Sequence, residues 1–295
     1  MAQLTNLPGD DATQDGYIPY DKRRLSYANT FPNPAKRAVI QTMEWLTGKP
    51  RLLHLIRRFE RQGVETGQGF WPHALQVMGI SLETPADEIA RIPATGPVII
   101  VANHPHGLVD GMVLADLIGR VRTDYRILTR SLLTGIPEIE QFMIPVPFPH
   151  EEDSIQKSLA MRKTAMAHLA SGGVVVLFPS GVVASSDTWW GPAIERDWNP
   201  FTAKMILKSG ASVVPIRFPG ANSRAYQIAD KVSATLRQGL LLHEVVHALN
   251  QAQRPHVGQP FDPAKIAERG AAPREMMAWM REATLALGQP QDAEI

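Results

Sequence analysis

At 295 residues, 44% of them hydrophobic and 20% charged, the chain has globular composition and enough length to bury a sizeable core as one large α/β body. Lys+Arg number 30 against 29 Asp+Glu, a net charge of +1 that is too small to gather nucleic acid by a global field, so an anionic partner has to be met by a local patch. With no cysteine, disulfides, thiolate metal sites and a cysteine nucleophile are excluded.

Residues 1–16 are polar and acidic without an apolar core segment, which argues against a secretory signal, and no run approaches the roughly eighteen apolar residues that span a bilayer. A cytoplasmic protein with only peripheral contact at the inner face of the cell membrane is expected. After an irregular arm over 1–32, Asn33 offers a helix cap, Pro34 fits the first helical position and Gly48 closes the segment. Residues 50–63 repeat that grammar, which predicts a helical hairpin over 33–63. Lys36, Arg37, Lys49, Arg51, Arg57, Arg58 and Arg61 are opposed there only by Glu44 and Glu60. Basic and apolar residues sharing a short hairpin suit an anionic lipid surface, and a solvated face on core-packed helices fits the same pattern.

From residue 97 the rhythm changes to short β-branched runs alternating with helical segments, within an α/β domain expected over 64–295. Strands are predicted at Val98–Ala102, 126–129, 174–178 and 212–218, and helices around 111–118, Ser154–Ala170, 201–209, 223–250 and 273–287. The fold class that follows is α/β, a central, largely parallel sheet flanked by helices. In such sheets chemistry sits beyond the carboxyl ends of strands, which directs attention to the loops opening at Asn103, Arg130 and Pro179.

The most informative loop is VANHPHGLVDG, residues 101–111. A histidine can take a proton from a hydroxyl near neutral pH, and a carboxylate on its other ring nitrogen fixes the tautomer and stabilises the imidazolium that forms. If the loop folds back on the helix start, His104 and Asp110 come together, and free amides there could receive a developing oxyanion. A capping Asp110 beside a polar loop histidine is the structural alternative.

NHPHGLVDG resembles the first motif of the lysophospholipid acyltransferase (PlsC-like) superfamily, whose founding members acylate glycerol phosphate and lysophosphatidic acid. Five residues separate His104 from Asp110, where the commonest form has four. That longer loop with its Asn-His-Pro opening is similar to the bacterial branch that O-acylates lyso-ornithine lipid and related aminolipids. The likeness continues through LTRSLLTGIPEI, VVVLFPSGVVAS, WNPFTAKMILKSGASVVPIRFPGANSR and LRQGLLLHEVV, covering roughly residues 65–260. It implies His104 as base with Asp110 as its partner, no covalent enzyme intermediate, no cofactor, and a thioester of acyl carrier protein or coenzyme A as acyl donor. It further implies substrate contacts at Arg130, at Phe178, Pro179, Ser180 and Gly181 of the third motif, and at Asn222 and Arg224. Arg130 equally suits a surface ion pair, and Asn222 to Arg224 a helix cap. The third motif departs from the family, with Ser180 in place of its usual Glu and Val182 after the glycine. Lacking that carboxylate and its companion arginine, FPSGVVAS is poorly equipped for a phosphate. The expected acceptor is therefore a lyso-aminolipid, with Glu195, Asp197, Arg130 and Arg224 available for its amine and acid.

Other readings stay open. His104-x-His106 with a nearby Asp resembles half of a metal-hydrolase site, without a second ligand cluster to complete it. Acylation of lysophosphatidic acid is the enzymatic alternative, and a lipid carrier without catalysis fits the departed third motif. A serine hydrolase does not fit, because FPSGV lacks the glycine two places before the serine that a nucleophile elbow needs.

Overall fold

The computed structural model describes residues 19–129, 136–147 and 153–289. The chain enters through helices α1 (Pro34–Thr47) and α2 (Lys49–Arg61), which meet at Gly48. The Asn33 side chain accepts from the N–H groups of Ala35 and Lys36 at 2.9 and 3.1 Å, satisfying two of the donors that a helix start leaves free. Helix α3 (Phe70–Val77) follows, then β1 (Val98–Ala102), α4 (Leu108–Gly119), β2 (Tyr125–Thr129) and β3 (Met143–Pro145). The rest of the main order is α5 (Ser154–Ala170), β4 (Val174–Leu177), α6 (Pro200–Ser209) and β5 (Ser212–Arg217), with α7 (Arg224–Val232), α8 (Ala234–Gly239), α9 (Leu241–His247), β6 (His256–Val257) and α10 (Pro273–Leu285) after them.

The six strands form one sheet in the order β6-β5-β1-β4-β2-β3, parallel except for β6, which pairs antiparallel with β5. In β1, Val98, Ile100 and Ala102 face one core and Ile99 and Val101 the other, as the two-residue period of a strand requires. Both faces are covered, which is why the central strands read as continuous apolar runs. The first face packs α3, α4 and the buried Leu242 and Val245 of α9; the second packs Ala165 and Leu169 of α5, Ala203 and Ile206 of α6, and Met276, Met277 and Met280 of α10.

Two predicted features come out differently. The helix expected over 223–250 is three helices, because Ser233 adopts extended backbone after β-branched Val232 and its hydroxyl accepts from Thr235 and Leu236, starting a new helix. The helices over 34–61 are seated on the body: Ile40, Glu44, Lys49, Leu52 and Leu53 are buried, so only part of the expected apolar face is free. The junction allows this because Gly48 lies where a Cβ would stand 3.0 Å from the Leu242 carbonyl oxygen. Strands β3 and β6 carried no signal strong enough to be expected. Among the described residues, no helix is long and apolar enough to cross a membrane.

The sheet's carboxyl edge is fixed by Asn103, the first residue after β1. Its amide donates to the Phe218 carbonyl at 2.9 Å and its carbonyl oxygen accepts from the Phe218 N–H at 2.7 Å, tying the exits of β1 and β5 together. Asn103→Ala strands both backbone groups in a buried setting, and urea denaturation should show a loss of about 2–4 kcal/mol with an unchanged m-value.

Candidate active site

Beyond Asn103 the chain crosses His104 and His106 and reaches Gly107, whose φ of 77° and ψ of −124° turn it into α4. Asp110, in the first turn of α4, is completely buried, and its carboxylate points back into the loop. Oδ2 accepts from the backbone N–H groups of His106 at 2.8 Å and Gly107 at 3.1 Å, and from His104 Nδ1 at 3.0 Å. Oδ1 accepts from His106 Nδ1 at 2.9 Å. One carboxylate therefore holds two imidazoles, each in the tautomer that places a proton on Nδ1. Burial pushes the Asp110 carboxyl up, but the neighbouring His106 charge and the hydrogen bonds from both rings outweigh it and hold the group at about 2. Burial likewise opposes charge on His106, yet the charge and hydrogen bond of Asp110, with Glu244 behind, raise that imidazole above its ordinary value.

The two rings differ in surroundings. His104 stacks on Phe178 with centroids 3.9 Å apart and planes 21° from parallel, and among the described residues its Nε2 has no protein hydrogen-bond partner. His106 instead turns Nε2 against the backbone of Gly220, where a Cβ would sit 2.9 Å from it. That close approach, at a φ of 93°, requires the glycine.

The main chain of His104 is occupied on both sides. Its carbonyl accepts from Ala184 N at 2.8 Å and its N–H donates to Glu195 Oε2 at 3.1 Å. Glu195 is buried, which raises its pKa, and its other oxygen accepts from the Trp198 indole at 3.0 Å. The single Ser180 hydroxyl proton faces two acceptors, the Val182 carbonyl at 2.9 Å and the Glu195 carboxylate.

The other residues singled out from the sequence divide into groups. Phe178, Pro179, Ser180 and Gly181 form a turn closed by Gly181 N to the Phe178 carbonyl at 2.9 Å, with Gly181 at positive φ, and this turn carries the ring on which His104 rests. Asn222 is buried, and among the described residues its side-chain Nδ2 has no partner. Arg224 opens α7 and donates to the Gly191 carbonyl at 2.6 Å, so its described contact is with a neighbouring turn and not with the imidazoles. Arg130 lies outside the described residues. Two expectations need correcting. The amides of His106 and Gly107 are spent on Asp110 and are not free for an oxyanion. Glu195, expected to meet an acceptor amine, is committed to the His104 backbone and Trp198.

A family profile described as Acyltransferase matches residues 67–288, most of the chain. The chain belongs to the acyltransferase family. The lyso-glycine lipid O-acyltransferase of Phocaeicola vulgatus is 25% identical over 136 residues, covering 46% of this chain and 46% of that protein, so the alignment spans under half of the relative's length. A crystal structure of the 1-acyl-sn-glycerophosphate acyltransferase PlsC from Thermotoga maritima aligns with a TM-score of 0.47 at 13% identity, covering 88% of this chain and 82% of the other.

This acyltransferase also contains a strongly apolar cavity of about 390 Å³ that reaches the first turns of α4 at Leu108 and Met112. Its walls include Leu55, Ile56 and Phe59 of α2 and Phe70, Ala74 and Val77 of α3, with Tyr20, Asp21, Arg24, Glu60 and Glu138 as its polar members. The volume lies in the range of small-molecule pockets. The inward face of α2, read from sequence as a candidate lipid-facing surface, thus lines a partly open apolar cleft.

Sequence reasoning missed the second imidazole on Asp110 and the His104–Glu195 link. The first had a signal, since residues four apart across a helix start can share a carboxylate; the second spans ninety-one positions and had none. Glu195→Ala should lower acyltransferase turnover about 10- to 100-fold through misplacement of His104, with an unchanged circular dichroism spectrum. Glu195→Gln, which can still accept one of the two N–H groups, should fall between it and the wild type.

Proposed function

We propose that this acyltransferase moves a fatty-acyl group from an acyl thioester to the hydroxyl of a lyso-lipid, with His104 as general base. The observation that carries the reading is the His104 ring held at Nδ1 by a buried, ionised Asp110 with Nε2 unpartnered, in a loop that leads into an apolar cavity. In the step we assign, the acceptor hydroxyl gives its proton to His104 Nε2 as its oxygen attacks the thioester carbonyl. Asp110 stabilises the imidazolium, and collapse of the tetrahedral intermediate expels the thiolate, which takes that proton back. The cavity between α2, α3 and α4 suits a hydrocarbon chain. The unpartnered Asn222 amide, two residues beyond the glycine that approaches His106, is a donor available to an oxygen of acceptor or intermediate.

The acceptor class we favour is a lyso-aminolipid, in which the hydroxyl of a 3-hydroxy fatty amide becomes esterified. The departed third motif and the partial similarity to the lyso-glycine lipid O-acyltransferase support it. Arg130 or Arg224 is assigned to the headgroup acid. The donor is a thioester on acyl carrier protein or coenzyme A, which share a phosphopantetheine arm. Peripheral contact with an anionic inner-membrane surface is assigned to the exposed Arg51, Arg57, Arg58 and Arg61 of α2 and the exposed Trp45 and Leu46 of α1.

His104→Ala should abolish transfer by about 10² to 10⁴-fold while leaving the circular dichroism spectrum unchanged, and His106→Ala should cost less. A dead His106 variant beside an active His104 variant would move the base to His106. Acceptor class is decided by one reaction containing equal lyso-aminolipid and lysophosphatidic acid with a shared thioester. Mass spectrometry should find the aminolipid acylated first, and preferential acylation of lysophosphatidic acid would overturn the aminolipid assignment.

A further inference from the structure

Between the third motif and α6, residues 184–195 form a hairpin in which Ser185–Ser186 pairs antiparallel with Ala193–Ile194. Its tip carries Trp189 and Trp190, 52% and 77% exposed, and Val182 and Ile194 extend exposed apolar surface toward its base. Large apolar side chains normally avoid water, and a pair of neighbouring exposed indoles calls for an explanation.

The exposure is not that of a loose loop. Gly191 N donates to Thr188 Oγ1 at 2.8 Å, Ser186 Oγ donates to the Thr188 carbonyl at 2.7 Å, and Ser186 N donates to the buried Gln227 side chain at 2.7 Å. Arg224 braces the Gly191 carbonyl from α7, and Arg196 pairs with Asp187. The turn is built, and it presents both indoles outward. We propose that this hairpin is a membrane-contact element, with Trp189 and Trp190 seated in the headgroup layer of an anionic lipid surface.

Indole suits that layer because its ring is apolar and its N–H is polar. Charge is compatible with that partner: Arg196 and Lys231 lie beside Asp187, Arg224 reaches the Gly191 carbonyl at the turn, and Glu195 at the hairpin's base is buried. Location gives the contact its use. Ala184 at one end and Glu195 at the other are both hydrogen-bonded to the backbone of His104, so a hairpin resting on lipid places that ring at the depth where a lipid acceptor's hydroxyl resides. This last step rests on the lyso-lipid reading above, whereas the lipid contact itself does not.

The test uses the full chain, the Trp189→Ser/Trp190→Ser double variant and vesicles of equal parts phosphatidylcholine and phosphatidylglycerol that contain no acceptor. Vesicle flotation should show affinity at least about tenfold lower in the double variant, and quenching of tryptophan fluorescence by lipids brominated near the headgroup should fall with it. Trp189→Phe/Trp190→Phe should retain most of the binding, which separates an interfacial role from a folding defect. Thioester turnover with a short-chain, water-soluble hydroxyl acceptor should be the same in the double variant and the wild type. Equal flotation and quenching in the two proteins would overturn the proposal. So would unchanged vesicle binding accompanied by lost binding to acyl carrier protein, which would assign the hairpin to a protein partner.

Discussion

Asp110 is the constraint around which the amino end of α4 is organised. A carboxylate with no exposure to water is costly unless every lone pair finds a donor, and the chain supplies two backbone amides and two imidazoles. The start of α4 contributes further, since unpaired N–H groups and the helix dipole favour negative charge there. Satisfying that one group dictates the loop: His104 and His106 must point inward, and Gly107 must adopt positive φ so that α4 can begin within reach.

The sheet makes such a loop possible. Asn103 joins the exits of β1 and β5, and Phe178, at the exit of β4, provides the ring beneath His104. Three adjacent parallel strands therefore deliver the base, its platform and the backbone that confines His106 to one edge. On the face of the sheet that packs α3 and α4, the cavity walled by α2 and α3 opens onto α4 only residues away from Asp110, joining a polar site to an apolar compartment through a single helix.

What the sequence made legible was local. The central strands, the fold class and the His104–Asp110 pair are encoded in short apolar runs and in one loop whose residues are close along the chain. Helices could be placed but not always bounded: the break at Ser233 depends on one hydroxyl capping the next turn, a competition that apolar periodicity does not record. The burial of the α2 apolar face was hidden because amphipathic helices look alike whether they face lipid or a protein interior. Glu195 illustrates the remaining gap. The third motif lacks its carboxylate at Ser180, yet a carboxylate reaches the Ser180 hydroxyl from fifteen positions downstream, carried back by a hairpin that only the folded chain reveals.

The sharing of Asp110 between two rings also bears on how such a site tolerates sequence drift. Loss of either imidazole leaves the carboxylate with three of its four donors, a deficit that a solvent molecule or a neighbouring amide can make good. Loss of the carboxylate leaves two ring N–H groups and two amides converging on an empty centre. For the architecture of the loop, as distinct from its chemistry, either ring is dispensable singly, whereas replacement of the aspartate demands that the whole loop be rebuilt.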